Sequence, residues 1–229
     1  MAKDGAFAFL RIRAVPHLFW SAPRPLTIRP PAVSVAMLAF GLVIFGIGEA
    51  LLIASGVGVS PWTVLAQGIT NITGWSVGLA TFVISVLVLL AWVPLRQTPG
   101  MGTILNIIII AVVLDLALPW LPRFDPLALR IAEAAAGVIL TGIGGGIYLI
   151  ANLGPGPRDG LMTGLQRLTG LPIAGVRSAI EIGAVLLGWA LGGVVGIGTL
   201  LFAFGIGPCV AAAMHLSLIH ISEPTRPLY

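Results

Sequence analysis

Charged side chains are scarce in this sequence: Lys, Arg, Asp and Glu make up only 9% of its 229 residues. Soluble domains carry about 25%. Too few charges are present to cover a water-facing surface, so most of the exterior must meet lipid. Cysteine is nearly absent, and the single Cys209 excludes a disulfide framework within one chain. There are three histidines, His17, His215 and His220, and no HExxH, GxSxG or Cys/His ligand cluster. Nothing here points to catalysis, so neither an enzyme activity, a cofactor nor a metal is expected. Period-two alternation is missing too, which excludes a transmembrane barrel. The balance of 12 basic to 8 acidic residues gives a net charge of +4. The basic residues crowd the N-terminal tail and short loops, as orientation signals do in membrane proteins, and no nucleic-acid partner is implied.

What the chain does have is apolar length: 58% of it is hydrophobic, and the mean hydropathy is +1.07. Spans of about 20 residues fit at 34–56, 75–95, 101–121, 131–151, 172–193 and 198–216. The expected fold is an all-α polytopic membrane protein with the lipid bilayer as its first partner. Residues 1–31 hold Lys3, Arg11, Arg13, Arg24 and Arg29 and read as a basic, disordered cytoplasmic tail. Ser217 to Tyr229 resembles translated sequencing-adapter DNA and is set aside from the fold.

Residues 41–103 are echoed by 137–199 at a constant offset of 96 positions. Gly41, Gly48, Gly58, Pro61, Gly74, Gly100 and Gly102 meet Gly137, Gly144, Gly154, Pro157, Gly170, Gly196 and Gly198. Most matched positions are glycine, proline or threonine, which set backbone shape, whereas a chance match would align Leu, Ile and Val. The chain therefore divides into repeats at 32–121 and 131–216, joined by a loop at 122–130.

Each repeat carries a segment too long for a turn between its first two spans. Ser60 is a good N-cap, Pro61 suits the first helical position and Gly74 can stop the helix; Gly156, Pro157, Asp159 and Gly170 repeat the grammar. Helices over 61–73 and 157–169 would reach only roughly 18 Å, too short to cross the bilayer. They are half-helices. A cytoplasmic N-terminus puts Arg96, Arg158 and Arg167 inside and leaves Arg123 and Arg130 outside, in agreement with the positive-inside rule. With three spans each, the repeats enter from opposite faces and are inverted.

The run Leu153-Gly-Pro-Gly-Pro-Arg-Asp-Gly-Leu-Met162, its partner Gly58-Val-Ser-Pro-Trp-Thr-Val-Leu65, and Gly100-Met-Gly-Thr-Ile-Leu-Asn106 with Asp115 beyond it carry a family likeness. They resemble the YczE/YyaS/YitT-type bacterial membrane proteins over residues 34–216, whose pattern is a Leu-Gly-x-x-Pro-x-Asp loop leading into a short helix. The resemblance implies a bacterial inner-membrane setting and this architecture, not a substrate. One departure is Thr63, where the first copy of the pattern often has Asp.

Ionisable residues inside spans are functional candidates by default. Glu49 would carry a proton or a cation, or else bond the chain where helices approach; its repeat mate is Gly145, so a site using it is asymmetric. Arg177 and Glu181, one helical turn apart, would form an ion pair or line a transport site. Asp115 sits toward a span end beside Pro119 and Trp120, and Glu133 near a span start reads as solvated. Asn106 would coordinate a ligand or bond across helices. Around the half-helices the candidates are Gly58, Pro61, Gly154, Pro157, Arg158 and Asp159; at Arg158 and Asp159, beside the accessible amides of Gly154 and Gly156, an anionic ligand or lipid headgroup could dock, or the turn is simply capped and solvated. Gly142 with Gly146 and Gly46 with Ala50 read as helix-packing faces rather than a nucleotide loop.

Inverted repeats with half-helices at matching positions point to a small-solute or ion transporter. Its site would lie between the repeats, lined by both short helices, Glu49, Asn106 and Glu181. The competing expectations are a non-transporting membrane scaffold or regulatory subunit, or a substrate-binding subunit of a larger importer. Either could work as a homo-oligomer or with a partner subunit.

Overall fold

A computed structural model describes residues 18–219. Eight helices run in order: α1 (Ala32–Ser55), α2 (Pro61–Thr73), α3 (Val77–Leu90), α4 (Met101–Ala117), α5 (Leu127–Ile150), α6 (Pro157–Thr169), α7 (Ile173–Ala190) and α8 (Ile197–Ile219). A short 3-10 turn, Leu118–Trp120, extends α4. The described residues contain no strand. Starts of α2 and α6, α3 and α7, and α4 and α8 are each 96 positions apart. Five helices are long and apolar enough to cross a membrane alone, and α2 with α3 makes a sixth, bent by 114°.

The two proline-started half-helices form where expected, each ending on a left-handed glycine, Gly74 or Gly170. One expected span is shorter than the hydropathy suggested. It was placed at 75–95, but α3 stops at Leu90 and the chain turns through Arg96, at φ +52°. Pro94 cannot continue the helix, because it lacks the N–H and its ring crowds the preceding turn. The tail also differs. Residues 18–31, expected to be disordered, fold back on the end of α5. Ser21 Oγ donates to Ile150 O (2.6 Å), Ala22 N donates to Ala151 O (3.0 Å), and Trp20 and Ala22 are buried. Residues 1–17 and 220–229, which include most of the suspected adapter tail, lie outside the described residues.

A glycine seam joins the repeats. A Cβ on Gly41 would lie 2.9 Å from Gly144 O; one on Gly137 would lie 2.7 Å from Gly48 O. Contacts run from Gly41 with Gly144 to Gly48 with Gly137, so α1 and α5 are antiparallel. Corresponding helices running in opposite directions is what an inverted pair requires. The outer faces serve the flanking helices: Gly46 admits Val113 of α4, and its mate Gly142 admits Cys209 of α8. These glycines pack helices, as their four-residue spacing suggests.

The repeats also exchange loops reciprocally. Gly198 N donates to Val57 O (2.9 Å), and Gly102 N donates to Leu153 O (2.7 Å). These bonds are mates of each other under the 96-residue offset. Beside them Gly58 and Gly154 adopt φ +118° and +108°, with the backbones of Gly196 and Gly100 within 3 Å of any added Cβ. Alanine at either position is expected to cost about 1–3 kcal/mol through strain and overpacking. Thermal melting in detergent will read this, with Gly183→Ala as the neutral comparison because nothing lies within 4 Å of its Cβ position.

Candidate functional site

Where the half-helices begin, a cavity of about 380 Å³ opens between the repeats. Four pairs of repeat mates line it: Pro61 and Pro157, Trp62 and Arg158, Asn106 and Phe202, Ile110 and Ile206. The cavity therefore straddles the axis that relates the two halves. Its volume lies at the low end of the range for drug-sized ligands, about 300–1,000 Å³.

Proline at the first position starts both α2 and α6 and fixes where their amides point. The first intrahelical bonds are donated by Val64 to Ser60 O and by Gly160 to Gly156 O. The amides of Trp62, Thr63, Arg158 and Asp159 precede them, so two positive helix ends converge on one space. The Arg158 guanidinium lies over the Trp62 ring, 5.2 Å from its centroid. Glu49, Asp159 and Glu181 are all within electrostatic range of Arg158.

Glu49 sits behind this surface, 1% exposed. Its Oε2 accepts from Thr63 Oγ1 (2.6 Å) and Ser60 Oγ (2.7 Å), while Oε1 has no partner. Ser60 was expected to cap α2 with its hydroxyl; that hydroxyl is turned to Glu49 instead, and it makes no cap bond. An acid from α1 thus stands at the start of α2 and balances its dipole. Glu49 does not line the cavity. At the second half-helix the corresponding acid is Asp159, whose Oδ2 accepts from Tyr148 Oη (2.7 Å).

Asn106, Arg177 and Glu181 all reach the cavity wall. Arg177 Nε and Glu181 Oε1 form the expected i,i+4 ion pair at 2.9 Å, with side chains 52% and 25% exposed. Asp115 does not line the cavity. Ser76 Oγ donates to its Oδ2 (2.6 Å) and Gly78 N to its Oδ1 (2.8 Å), so it anchors the start of α3. Asp115→Ala is expected to lower stability by about 1–2 kcal/mol in a thermal melt while leaving ligand binding in the cavity unchanged. Glu133 also departs from its reading as a solvated residue: it is 6% exposed, and neither carboxylate oxygen has a protein partner. Gly58 and Gly154 shape the crossing loops rather than face the cavity, whereas Pro61, Pro157, Arg158 and Asp159 line it directly.

Several lining residues escaped sequence reasoning, chief among them Trp62, Tyr148, Phe45 and Met162. Apolar and aromatic side chains in an apolar span carry no local signal. One clue was available: Trp62 and Arg158 occupy matched positions in the two half-helices.

The two repeats contribute unequally to the cavity wall. Arg177 and Glu181 of α7 line it, but their mates Thr81 and Ser85 of α3 are buried and do not. A size exchange accompanies this. Gly188 lets α7 approach α2 at Gly68, while its mate Trp92 stacks on Gly160 of α6 and donates Nε1–H to Pro157 O (2.9 Å).

The family described as "Family of unknown function (DUF6198)" matches residues 32–215. A Haemophilus influenzae "Uncharacterized protein" is 44% identical over 200 residues, covering 87% of this chain and 91% of the relative. The "Uncharacterized membrane protein YczE" of Bacillus subtilis is 33% identical over 169 residues, covering 73% and 79%. The Bacillus subtilis "Uncharacterized protein YyaS" is 29% identical over 165 residues, covering 70% and 82%. No solved structure matches.

Proposed function

The chain belongs to the DUF6198 family of multi-pass membrane proteins, and we propose that it transports a small solute or ion from a site between its two repeats. The observation that carries this reading is the cavity built from four pairs of repeat mates at the meeting point of two half-helix N-termini. Discontinuous helices whose positive ends meet near the centre are how many transporters hold a solute without crossing the bilayer with exposed backbone.

The unequal wall supports the same reading. In inverted repeats the two halves take up different conformations, and exchanging those conformations moves the opening from one face to the other. Here α7 offers Arg177 and Glu181 to the cavity while α3 keeps Thr81 and Ser85 buried. Placed in a bacterial inner membrane with the N-terminus in the cytoplasm, the open side faces inward. The unpartnered Oε1 of Glu49, next to two hydroxyls, offers a place for a coupling proton or cation.

Two measurements test this. Proteoliposomes containing the purified protein should accumulate a solute from a screened panel down an imposed gradient; a ligand that binds and is never moved would instead mark an importer subunit. In a Cys209→Ala background, Glu181→Cys should react with a membrane-impermeant thiol reagent from the cytoplasmic side, and Ser85→Cys should resist it from either side. Equal reactivity of both cysteines would contradict one-sided access.

A further inference from the structure

We propose that the cavity takes a small organic monoanion with an apolar body, its head group held by Arg158, Trp62 and Asn106. This rests on the cavity being the solute site and adds the chemical class of the solute.

The donors decide the sign of the charge. Among the described residues, the Arg158 guanidinium has no hydrogen-bonded acceptor and no ion-pair partner; the Trp62 ring face lies against it, and the carboxylates act on it only from farther away. A guanidinium left with five free N–H groups is made for a carboxylate or a similar anion. Trp62 is 8% exposed, and its Nε1–H, a donor only, has no partner. Such a buried donor is costly unless a ligand completes it. The Asn106 amide lines the same wall and makes no hydrogen bond of its own within the described residues. The amides at the starts of α2 and α6 add to the positive potential.

Each nearby carboxylate, by contrast, already has a partner for one of its oxygens. Glu49 Oε2 takes two hydroxyl donors behind the wall, Asp159 Oδ2 takes Tyr148, and Glu181 is paired with Arg177. An anion would meet donors that have no partner at all, whereas a cation would meet carboxylates that each already hold one. The same three carboxylates limit the charge. They already act on the Arg158 charge, so a second negative charge on the ligand would meet repulsion with little further compensation.

The repeat itself indicates where the head group goes. In the first repeat Glu49 supplies a carboxylate at the start of α2. Its mate is Gly145, which lines the cavity, and a Cβ there would meet only ordinary contact with Val210 at 3.4 Å. The second repeat thus leaves open the place from which the first supplies its own acid. Phe45, Met162, Phe202, Ile206 and Met214 make up the remaining wall, which suits an apolar body.

The test is calorimetric titration of the full chain in nanodiscs with 3-phenylpropanoate, its neutral amide, its amine analogue and inorganic phosphate. The carboxylate should bind, and the amide and amine should bind about tenfold more weakly or worse. Phosphate should fail to compete. Arg158→Gln should weaken carboxylate binding by about tenfold or more, and Trp62→Phe, which keeps the stacking and removes the N–H, by severalfold. Arg158→Lys, with a melting curve near that of the parent, controls for folding; it keeps the charge and should retain part of the affinity. Amine binding equal to carboxylate binding, no carboxylate binding up to about 10 mM, or an unaffected Arg158→Gln protein would overturn the proposal. Carboxylate binding without flux would leave it standing and end the transport reading. Flux of a neutral or cationic solute without carboxylate binding would do the reverse.

Discussion

Leucine in place of Gly48 or Gly144 is expected to abolish accumulation of the folded protein. At Gly48 an added Cβ would lie 2.5 Å from Thr141 N and 2.7 Å from Gly137 O; at Gly144 it would lie 2.5 Å from Gly41 O. These are backbone atoms of the facing helix, so no rotamer change relieves the clash. Separating α1 from α5 would also pull apart the reciprocal bonds of Gly102 and Gly198 and the cavity between them. One added methyl in a packed interior costs about 1–3 kcal/mol. A leucine against backbone should exceed what a domain stable by about 5–15 kcal/mol can tolerate. Size-exclusion chromatography and melting of Gly48→Ala, Gly48→Leu and Gly144→Leu will check the order, with Gly175→Ala unaffected because its Cβ position is open. A Gly48→Leu protein that elutes and melts like the parent would mean the seam is not the contact that joins the repeats.

The second large effect belongs to Glu49. Glu49→Ala leaves the Thr63 hydroxyl buried without its acceptor, Ser60 Oγ keeping only Thr63 Oγ1 (2.9 Å), and opens a void at the start of α2. The stranded hydroxyl costs about 1–3 kcal/mol and the void adds to it, so a loss of about 2–5 kcal/mol is expected by thermal melting. Glu49→Gln keeps an acceptor oxygen and nearly the same volume, and it should melt close to the parent. It should nevertheless uncouple flux from the driving gradient, because an amide neither carries a proton nor neutralises a cation. Unchanged coupled flux in Glu49→Gln would remove this residue from coupling, and an unaffected melting point in Glu49→Ala would remove it from holding α2.

Much of the architecture was legible because it rests on local rules. Pro61 and Pro157 start helices, and Gly74 and Gly170 end them in the left-handed conformation, whatever surrounds them. The pairing of Arg177 with Glu181 follows from one helical turn of spacing. The role of Asp115 was not legible for the opposite reason: its partners Ser76 and Gly78 are 39 and 37 residues away, and nothing in its own neighbourhood announces them. Glu133 and residues 18–31 misled in the same way, since burial at a span end or of a polar tail depends on what folds over it.

By itself, then, the sequence determined the solvent, the all-helical class, the duplication and the two half-helices. Composition and backbone-setting residues act over a few positions and are readable without contacts. Only the tertiary structure decided which polar groups are satisfied. Glu49 and Arg158 are both charged residues at half-helix starts, yet one is enclosed by hydroxyls and the other is left facing a cavity. That difference arises because the start of α2 folds back on α1 and sets Ser60 and Thr63 against Glu49, whereas Arg158 meets Trp62 of the other repeat, 96 positions away, and hydrogen-bond partners are fixed by distance in space rather than along the chain.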